Sequence, residues 1–358
     1  MTASPRFTLR VKPEELRCLV IALLEATGCS QCNAESAAEV FLEADLRGVS
    51  GQGIDYLPYM IDNLRKGNID PRAEPRVARE SGATVTIDGQ RGPGQTAALL
   101  ATRLVIEKAQ RHGVGVAGIG NSTDVFMIGY YADLIASNGL AALVFSSGPP
   151  LVHPHGGVER MLSTNPIAFA FPTDGEVRVV CDVSTSAVSG WRLRQASYYK
   201  EELPLGSGVD AAGMPTRDAS AIKQGAISPL GGHKGFALGF SVAALSGLLN
   251  ASQVGAALGG WQAEGPIGYF GHTFIAIDPR ALYPEHNFEG AVGQYVRDIK
   301  QSRKAPGVSE IRVPGERAAR ARKQSMDAGV AVLETTWQII SRLALEMGVQ
   351  MPSARPAN

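Results

Sequence analysis

"GVGVAG", residues 113–118, is the stretch whose reading decides the fold. By letter it fits G-x-G-x-x-G, the glycine fingerprint of a dinucleotide-binding turn. Such a turn needs glycines that follow a strand and open a helix. Here they lie within an apolar run, and the next helical stretch begins only after "GNST". The context predicts a buried, glycine-rich strand packed under helices and rejects a phosphate loop at this place. Before it, "ATVTIDG" (83–89) alternates as a strand, and "GQTAALLATRLVIEKAQRHG" is an amphipathic helix ending at Gly113. After it, "DVFMIGYYADLIASNG" reads as a helix, and "LAALVFSSG", "NPIAFAFPT", "VRVVCDVST" and, later, "HTFIAIDP" read as strands. This alternation is the βαβ pattern of an α/β sheet covered by helices.

Residues 13 to 47 read helical. The first helix opens with Pro13 and two glutamates and stops at Gly28. The second is expected to be capped at Asn33 and stops at Gly48, and a third spans about Leu57 to Lys66. After Ser189 the chain turns charged and reads as an extended surface segment. "GGHKGFALGFSVAALSGLLNAS" reads as a glycine turn feeding a long buried helix, and "PSARPAN" as a frayed tail.

Lys+Arg and Asp+Glu balance at 34 each. That leaves no basic field for nucleic acid and no polybasic segment for a membrane surface. No apolar stretch has the length and continuity of a membrane span, and no secretory h-region is visible, so a cytoplasmic location is expected. The 41 glycines in 358 residues exceed the usual share of about 7% and cluster in short loops. Cys29 and Cys32 form C-x-x-C, which suits a redox pair or half a zinc site. No second Cys or His pair lies at zinc spacing, which favours free thiols. His153 and His155 lack a local carboxylate or cysteine and read as loop histidines, so no metal site is expected.

"RGVSGQG" (47–53) has the look of an active-site loop: glycines punctuate it, and one arginine stands at its start. Gln52, between the last two glycines, does not titrate. Arg47 suits a carboxylate fork, or equally a cap for the preceding helix C-terminus. "GGHKG" (231–235) offers free backbone N–H groups beside a lysine, which suits an anion or a cofactor phosphate, or a plain tight turn. "DVSTSAVSG" (182–190) and "STNPIAF" (163–169) are polar breaks beside buried strands, where ligands bind in α/β sheets.

Several long segments together resemble one family, the malate/L-lactate dehydrogenases of the second, non-Rossmann type. That group includes ureidoglycolate dehydrogenase, 2,3-diketo-L-gulonate reductase, L-sulfolactate dehydrogenase and piperideine-2-carboxylate reductase. The resemblance is carried by "EADLRGVSGQG", "YLPYMIDNLRKG", "GYYADLIASNGLAALVFSSGPPLVHPHGG", "STNPIAFAFP", "CDVSTSAVSG", "GMPTRD", "GGHKGFAL" and "RVPGER", in the family's order. It implies a non-Rossmann NAD(P)-binding sheet domain at 83–284. It also implies a helical unit at 1–82, joined by the C-terminal 285–358, and a homodimer with the cofactor near the subunit contact.

The family's opening loop is R-G-x-x-S-H-G. Arg47, Gly48 and Gly53 match, but its Ser falls on Gly51 and its His on Gln52. An arginine usual a few residues later falls on Tyr56. The second segment is N-S-x-H-F-G, whose histidine is the implied proton donor. Asn121 and Ser122 match, and the histidine falls on Asp124, or on Thr123 if the register slips by one. The family's threonine–asparagine pair reads Ser146–Ser147.

The resemblance thus places Asp124, Gln52 and Arg47 at the chemistry, and Ser50, Tyr56, Thr123, Ser147, His153 and Thr164 at the substrate. Gly148, Asp182, Val183, Ser184, Thr185, His233 and Lys234 fall at an NAD or NADP site. A buried Asp124 can donate a proton or serve as counter-ion to a cationic substrate, which favours C=N over C=O chemistry. The implied activity is an NAD(P)H-dependent oxidoreductase with an altered small-molecule substrate, such as a cyclic imine or an amino-acid-derived 2-oxo or 2-imino acid. The alternative is a member turned to non-redox chemistry or to acting on the nucleotide itself.

Overall fold

The Val114–Ser122 strand shows why "GVGVAG" carries its glycines. Gly113 ends the Gly94–His112 helix in the left-handed conformation, with φ 81°. A Cβ on Gly115 would come within 2.3 Å of the Val105 carbonyl oxygen of that helix, and one on Gly118 within 2.0 Å of Asn250 Oδ1. These glycines bring a helix backbone and a loop close to the two faces of the strand, while Ala117 and Ile119 are fully buried between them. The computed structural model describes residues 7–258 and 269–356.

Among those residues, seven strands form the main sheet. In spatial order they are Arg76–Ser81, Thr84–Asp88, Val114–Ser122, Phe270–Ile277, Ala141–Ser146, Ile167–Phe171 and Val179–Val183. Only Thr84–Asp88 and Val114–Ser122 run parallel, joined through the Gly94–His112 helix. Every other pairing is antiparallel. The βαβ reading therefore holds for one pair alone. The strand that divides the rest, Phe270–Ile277, returns from far along the chain to sit between Val114–Ser122 and Ala141–Ser146. The helices Gly94–His112 and Ile128–Ala136 pack on this sheet together, and His233–Ser246 packs on Phe270–Ile277 and Ala141–Ser146.

One continuous core joins Leu16, Leu23 and Phe41 of the first helices to Ile87, Ile119 and Phe274 of the sheet and to Val332 and Ile340 near the C-terminus. Phe7–Val11 pairs with both Val330–Leu333 and Arg355–Pro356. Part of the expected frayed tail is thus a strand; Ala357 and Asn358 lie outside the described residues.

Three further expectations change. The second helix is Gln31–Leu46 and is capped by Ser30, whose hydroxyl accepts from the Asn33 N–H, so the cap falls three residues before Asn33. The segment after Ser189 is not simply extended: Gly190–Tyr199 is a helix, and Leu193 and Ala196 join Val152, Leu162, Ile222 and Ile227 in a second small core. The helix His233–Ser246 is not buried all round, because Leu238, Phe240 and Leu245 are exposed. Cys29 is buried, Cys32 is exposed, and both are free thiols.

Gly115→Ala is expected to lower the unfolding free energy by about 1–3 kcal/mol, the usual cost of overpacking. Gly175→Ala, where a Cβ meets only ordinary contact at 3.6 Å, should stay within about 0.5 kcal/mol. Urea denaturation of both variants measures the difference.

Candidate active site

The opening loop is shaped from inside by Asp45. Its carboxylate turns inward, and Oδ2 accepts from the Ile54 N–H at 2.8 Å. A Cβ on Gly53 would approach that carboxylate to 2.1 Å, which explains the glycine. Burial raises the Asp45 carboxyl well above its ordinary range.

Gly51 answers to a different neighbour. A Cβ there would lie 2.6 Å from Trp191 Cγ. Its backbone is not left-handed, so space alone demands the glycine. Trp191 comes from the Gly190–Tyr199 helix, and its Nε1–H donates to Asp55 Oδ2 at 2.5 Å. Arg194, from the same helix, donates to that oxygen at 3.0 Å and stacks over the Tyr56 ring at 4.7 Å. The Thr336 hydroxyl donates to the other oxygen of Asp55.

This loop walls a cavity of about 1610 Å³, well above the roughly 300–1,000 Å³ of a drug-sized pocket. Arg47, Ser50, Gly51, Gln52, Tyr56 and Trp191 stand on the wall beside Asp124, Phe126 and Met127. Ser146–Pro149, Ser163–Thr164, Val180–Ser184, Arg312–Gly315 and Arg317–Ala319 line the rest, with further charged residues from the Glu316–Ala328 helix.

Asp124 sits in a tight turn, where Oδ1 accepts from the Phe126 N–H at 2.8 Å. Phe126 adopts φ 60°, a strained conformation for an aromatic residue. It is held between Phe41 and Tyr56, with ring centroids 4.8 and 5.6 Å away. Burial pushes the Asp124 carboxyl up to about 6, against the pull of the Phe126 and Val125 amides. Asp182 Oδ2 accepts from the Gly129 N–H at 2.8 Å, at the start of the Ile128–Ala136 helix, and the residue is exposed at the end of its strand. The Gln52 side chain has no hydrogen-bond partner among the described residues.

Arg47 is already engaged. It ends the Gln31–Leu46 helix, its Nε donates to Glu43 at 3.0 Å, and its Nη1 donates to Asp133 at 2.9 Å. Arg178 also donates to Asp133, and Arg322 to Glu43. Burial works against both carboxylates, but these guanidinium groups hold Glu43 and Asp133 below the usual carboxylate range.

The cavity thus brings together Arg47, Ser50, Gln52, Tyr56, Asp124, Ser147, Gly148, Thr164, Asp182, Val183 and Ser184. Five expected residues stand off its wall. The Thr123 hydroxyl donates to the Gly92 carbonyl and accepts from the Gly94 N–H. The Thr185 hydroxyl is turned to the Thr164 and Asn165 carbonyls. His153 bonds Ser228 and the Pro154 carbonyl. His233 and Lys234 begin the helix whose far turns are exposed, with the His233 ring 5.9 Å from that of His155.

Sequence reasoning gave no role to Trp191, Arg194, Ser146, His272 or the Arg312–Gly315 segment. His272 is fully buried beneath the site, 2.9 Å from Ser146 Oγ. Among the described residues no group of three or more His, Cys, Asp or Glu side chains is placed to hold a metal. No helix there is long and apolar enough to cross a membrane.

The family model for malate/L-lactate dehydrogenase matches residues 11–341. The malate/(S)-sulfolactate dehydrogenase of Methanothermus fervidus is 32% identical over 341 residues, covering 95% of this chain and 99% of that protein. The Δ1-pyrroline-2-carboxylate/Δ1-piperideine-2-carboxylate reductase of Pseudomonas putida is 32% identical over 342 residues, covering 94% and 97%. The crystal structure of malate dehydrogenase from Entamoeba histolytica superimposes with a TM-score of 0.92 at 26% identity, over 97% of this chain and all of that one. With its mixed α/β fold and its cavity walled by the family's segments, the chain belongs to the malate/L-lactate dehydrogenase family and is an oxidoreductase.

Proposed function

We propose that the chain is an NAD(P)H-dependent reductase of an altered substrate, a cyclic imine or another amino-acid-derived 2-imino acid, with Asp124 as the proton-handling group. The observation that carries this reading is the Asp124 carboxyl itself. It stands on the cavity wall where the family pattern has a histidine, and burial lifts it to about 6, close to the range in which a side chain both gains and releases protons. Passing its proton to the nitrogen of a neutral imine would leave the Asp124 carboxylate as counter-ion of the iminium that receives the hydride. Gln52 can donate and accept hydrogen bonds to orient the substrate but moves no proton. A non-redox role has no observation in its favour.

The cavity is large enough for a dinucleotide and a small substrate together. Gly148, the Asp182–Ser184 strand end and the facing Arg312–Gly315 segment would hold the nucleotide, which when bound supplies the hydride. The single parallel pair in the sheet and the packing role of the "GVGVAG" glycines support a non-Rossmann cofactor domain. The pairing of Phe7–Val11 with two C-terminal strands supports a unit built from both ends of the chain. A homodimer would cover the exposed Leu238, Phe240 and Leu245 of the His233–Ser246 helix with neighbouring Leu248 and Leu249. It would also bring His233 and Lys234, which begin that helix, near the contact.

Three outcomes are expected. In the reducing direction, kcat/KM should fall as pH rises through about 6, because deprotonation removes the Asp124 proton. Asp124→Asn should abolish that limb and lower the rate by roughly 100-fold or more, read from the nicotinamide absorbance band; an unchanged profile would refute the role. Gly51→Ser should destabilise the fold by about 1–3 kcal/mol, the cost of overpacking, and in a Trp191→Ala background the same substitution should cost little, so that a double-mutant cycle by urea denaturation reads the contact. Phe240→Glu should shift the mass found by light scattering from dimer to monomer; a wild-type monomer would defeat the dimer reading.

A further inference from the structure

His272 lies on the central Phe270–Ile277 strand, fully buried, and the proposed chemistry gives it no part. Its two ring nitrogens face unlike partners. Nε2 is 3.0 Å from the Thr123 carbonyl oxygen, an atom that only accepts. Nδ1 is 2.9 Å from Ser146 Oγ. A bare Nε2 would set two acceptors against each other, so Nε2 carries the proton. Burial pushes the imidazole down to about 4, so at neutral pH it holds that one proton only. Nδ1 is then bare, and the Ser146 hydroxyl hydrogen has two acceptors inside the protein, this nitrogen at 2.9 Å and the Ser147 carbonyl oxygen at 3.2 Å, of which the nearer takes it. A hydroxyl has a single hydrogen and two lone pairs, so Ser146 has nothing left to donate. Ser147 beside it is differently committed: its Oγ donates to the Gly271 carbonyl and accepts from the Gly271 N–H, both at 3.1 Å, and ties the strand ends together.

Ser146 lines the large cavity. We propose that His272 is a positioning residue that fixes Ser146 as an obligate hydrogen-bond acceptor toward the cavity, where it receives an N–H of the bound ligand. Two sources of that N–H follow from the proposed function, on which the ligand half of this inference rests: the carboxamide of the nicotinamide ring and the nitrogen of a protonated imine. A 2-oxo group brings only lone pairs to the same point and is disfavoured there, while its 2-imino counterpart is not. With the imine as source, the Ser146–His272 pair selects for nitrogen without touching the hydride path; with the carboxamide as source, it orients the nicotinamide ring.

Nitrogen-15 NMR of the histidine rings tests the first half with no ligand present. The expected state of His272 at neutral pH is neutral, with Nε2 protonated and Nδ1 bare. An imidazolium or an Nδ1-protonated ring would overturn the inference.

Fluorescence titration tests the second half with two matched pairs. One is NADH against its 3-acetylpyridine analogue, which lacks the carboxamide N–H. The other is Δ1-piperideine-2-carboxylate against pyruvate. Ser146→Ala should weaken the N–H-bearing member of one pair by about 5–10-fold, the worth of one such hydrogen bond, and spare its partner. The affected pair names the source. Equal effects on both members of both pairs sink the proposal. His272→Asn should level the same pair, and where it fails to fold the Ser146 variant and the NMR result decide. A wild-type protein that binds neither nucleotide nor imine overturns the proposed function, whereas a wrong tautomer overturns this inference alone.

Discussion

Asp55 is the constraint on which the reshaped site depends. One oxygen receives the Trp191 indole N–H and an Arg194 N–H, and the other receives the Thr336 hydroxyl. Three segments distant in sequence meet at this one carboxylate: the opening loop, the Gly190–Tyr199 helix and the C-terminal helix Glu334–Met347. Hydrogen bonds to a charged group are worth roughly 1.5–3 kcal/mol each, and removing the acceptor would leave an indole N–H with its desolvation uncompensated. The bond fixes the indole against Gly51, and so decides how much room the loop leaves for a substrate. The stacking of Arg194 on Tyr56, and of Tyr56 on Phe126 beside Asp124, extends the same anchor to the turn that seats the Asp124 carboxyl.

The cavity wall carries charges of both signs, with Arg312, Arg317 and Lys323 among its cations. A carboxylate ligand needs a cation with donors to spare. Arg47 gives two of its donor nitrogens to Glu43 and Asp133, and Arg194 gives one to Asp55. Tyr56 stands where the family pattern has a further arginine. Asp124 and Asp182 also bring two carboxyl groups to this cavity, the first lifted by burial and the second exposed at its strand end. Desolvation disfavours the charged form of Asp124, and a cationic group beside it would relieve that penalty. A protonated imine brings such a charge; a carbonyl compound does not.

The legible parts of the molecule were those set by local chemistry. Glycine context in "GVGVAG" separated a packed strand from a phosphate turn, and the family resemblance, through two separate segments, pointed to Gln52 and Asp124, which both line the cavity. Strand direction was not legible, because a buried strand has the same apolar pattern whether its neighbour runs parallel or antiparallel, and Phe270–Ile277 enters the sheet from far along the chain. His272 left a faint signal, a histidine at the head of the apolar run "HTFIAI". What it does depends on Thr123 and Ser146, which no spacing connects to it. Trp191 was hidden in a segment whose charge suggested a surface loop, although the helix there turns Leu193 and Ala196 into a small core. His233 and Lys234 illustrate the converse: a turn with the right residues for an anion begins a helix away from the cavity of the single chain.

The departures from the family pattern are not independent, and this argues for a rebuilt site over a decayed one. Loss of function by drift would leave holes where side chains were lost and unpaired groups where charges were gained. Here the glycine at 51 is filled by the Trp191 indole, the tyrosine at 56 is covered by the Arg194 guanidinium, and one helix supplies both. Asp124 is seated by the amide of Phe126, a residue held at a strained φ by its own aromatic neighbours. Strain of that kind persists only where surrounding packing over-determines it. Gly51, Tyr56 and Asp124 thus stand among close, mutually supporting neighbours, while Gln52 faces the cavity with no hydrogen-bond partner among the described residues.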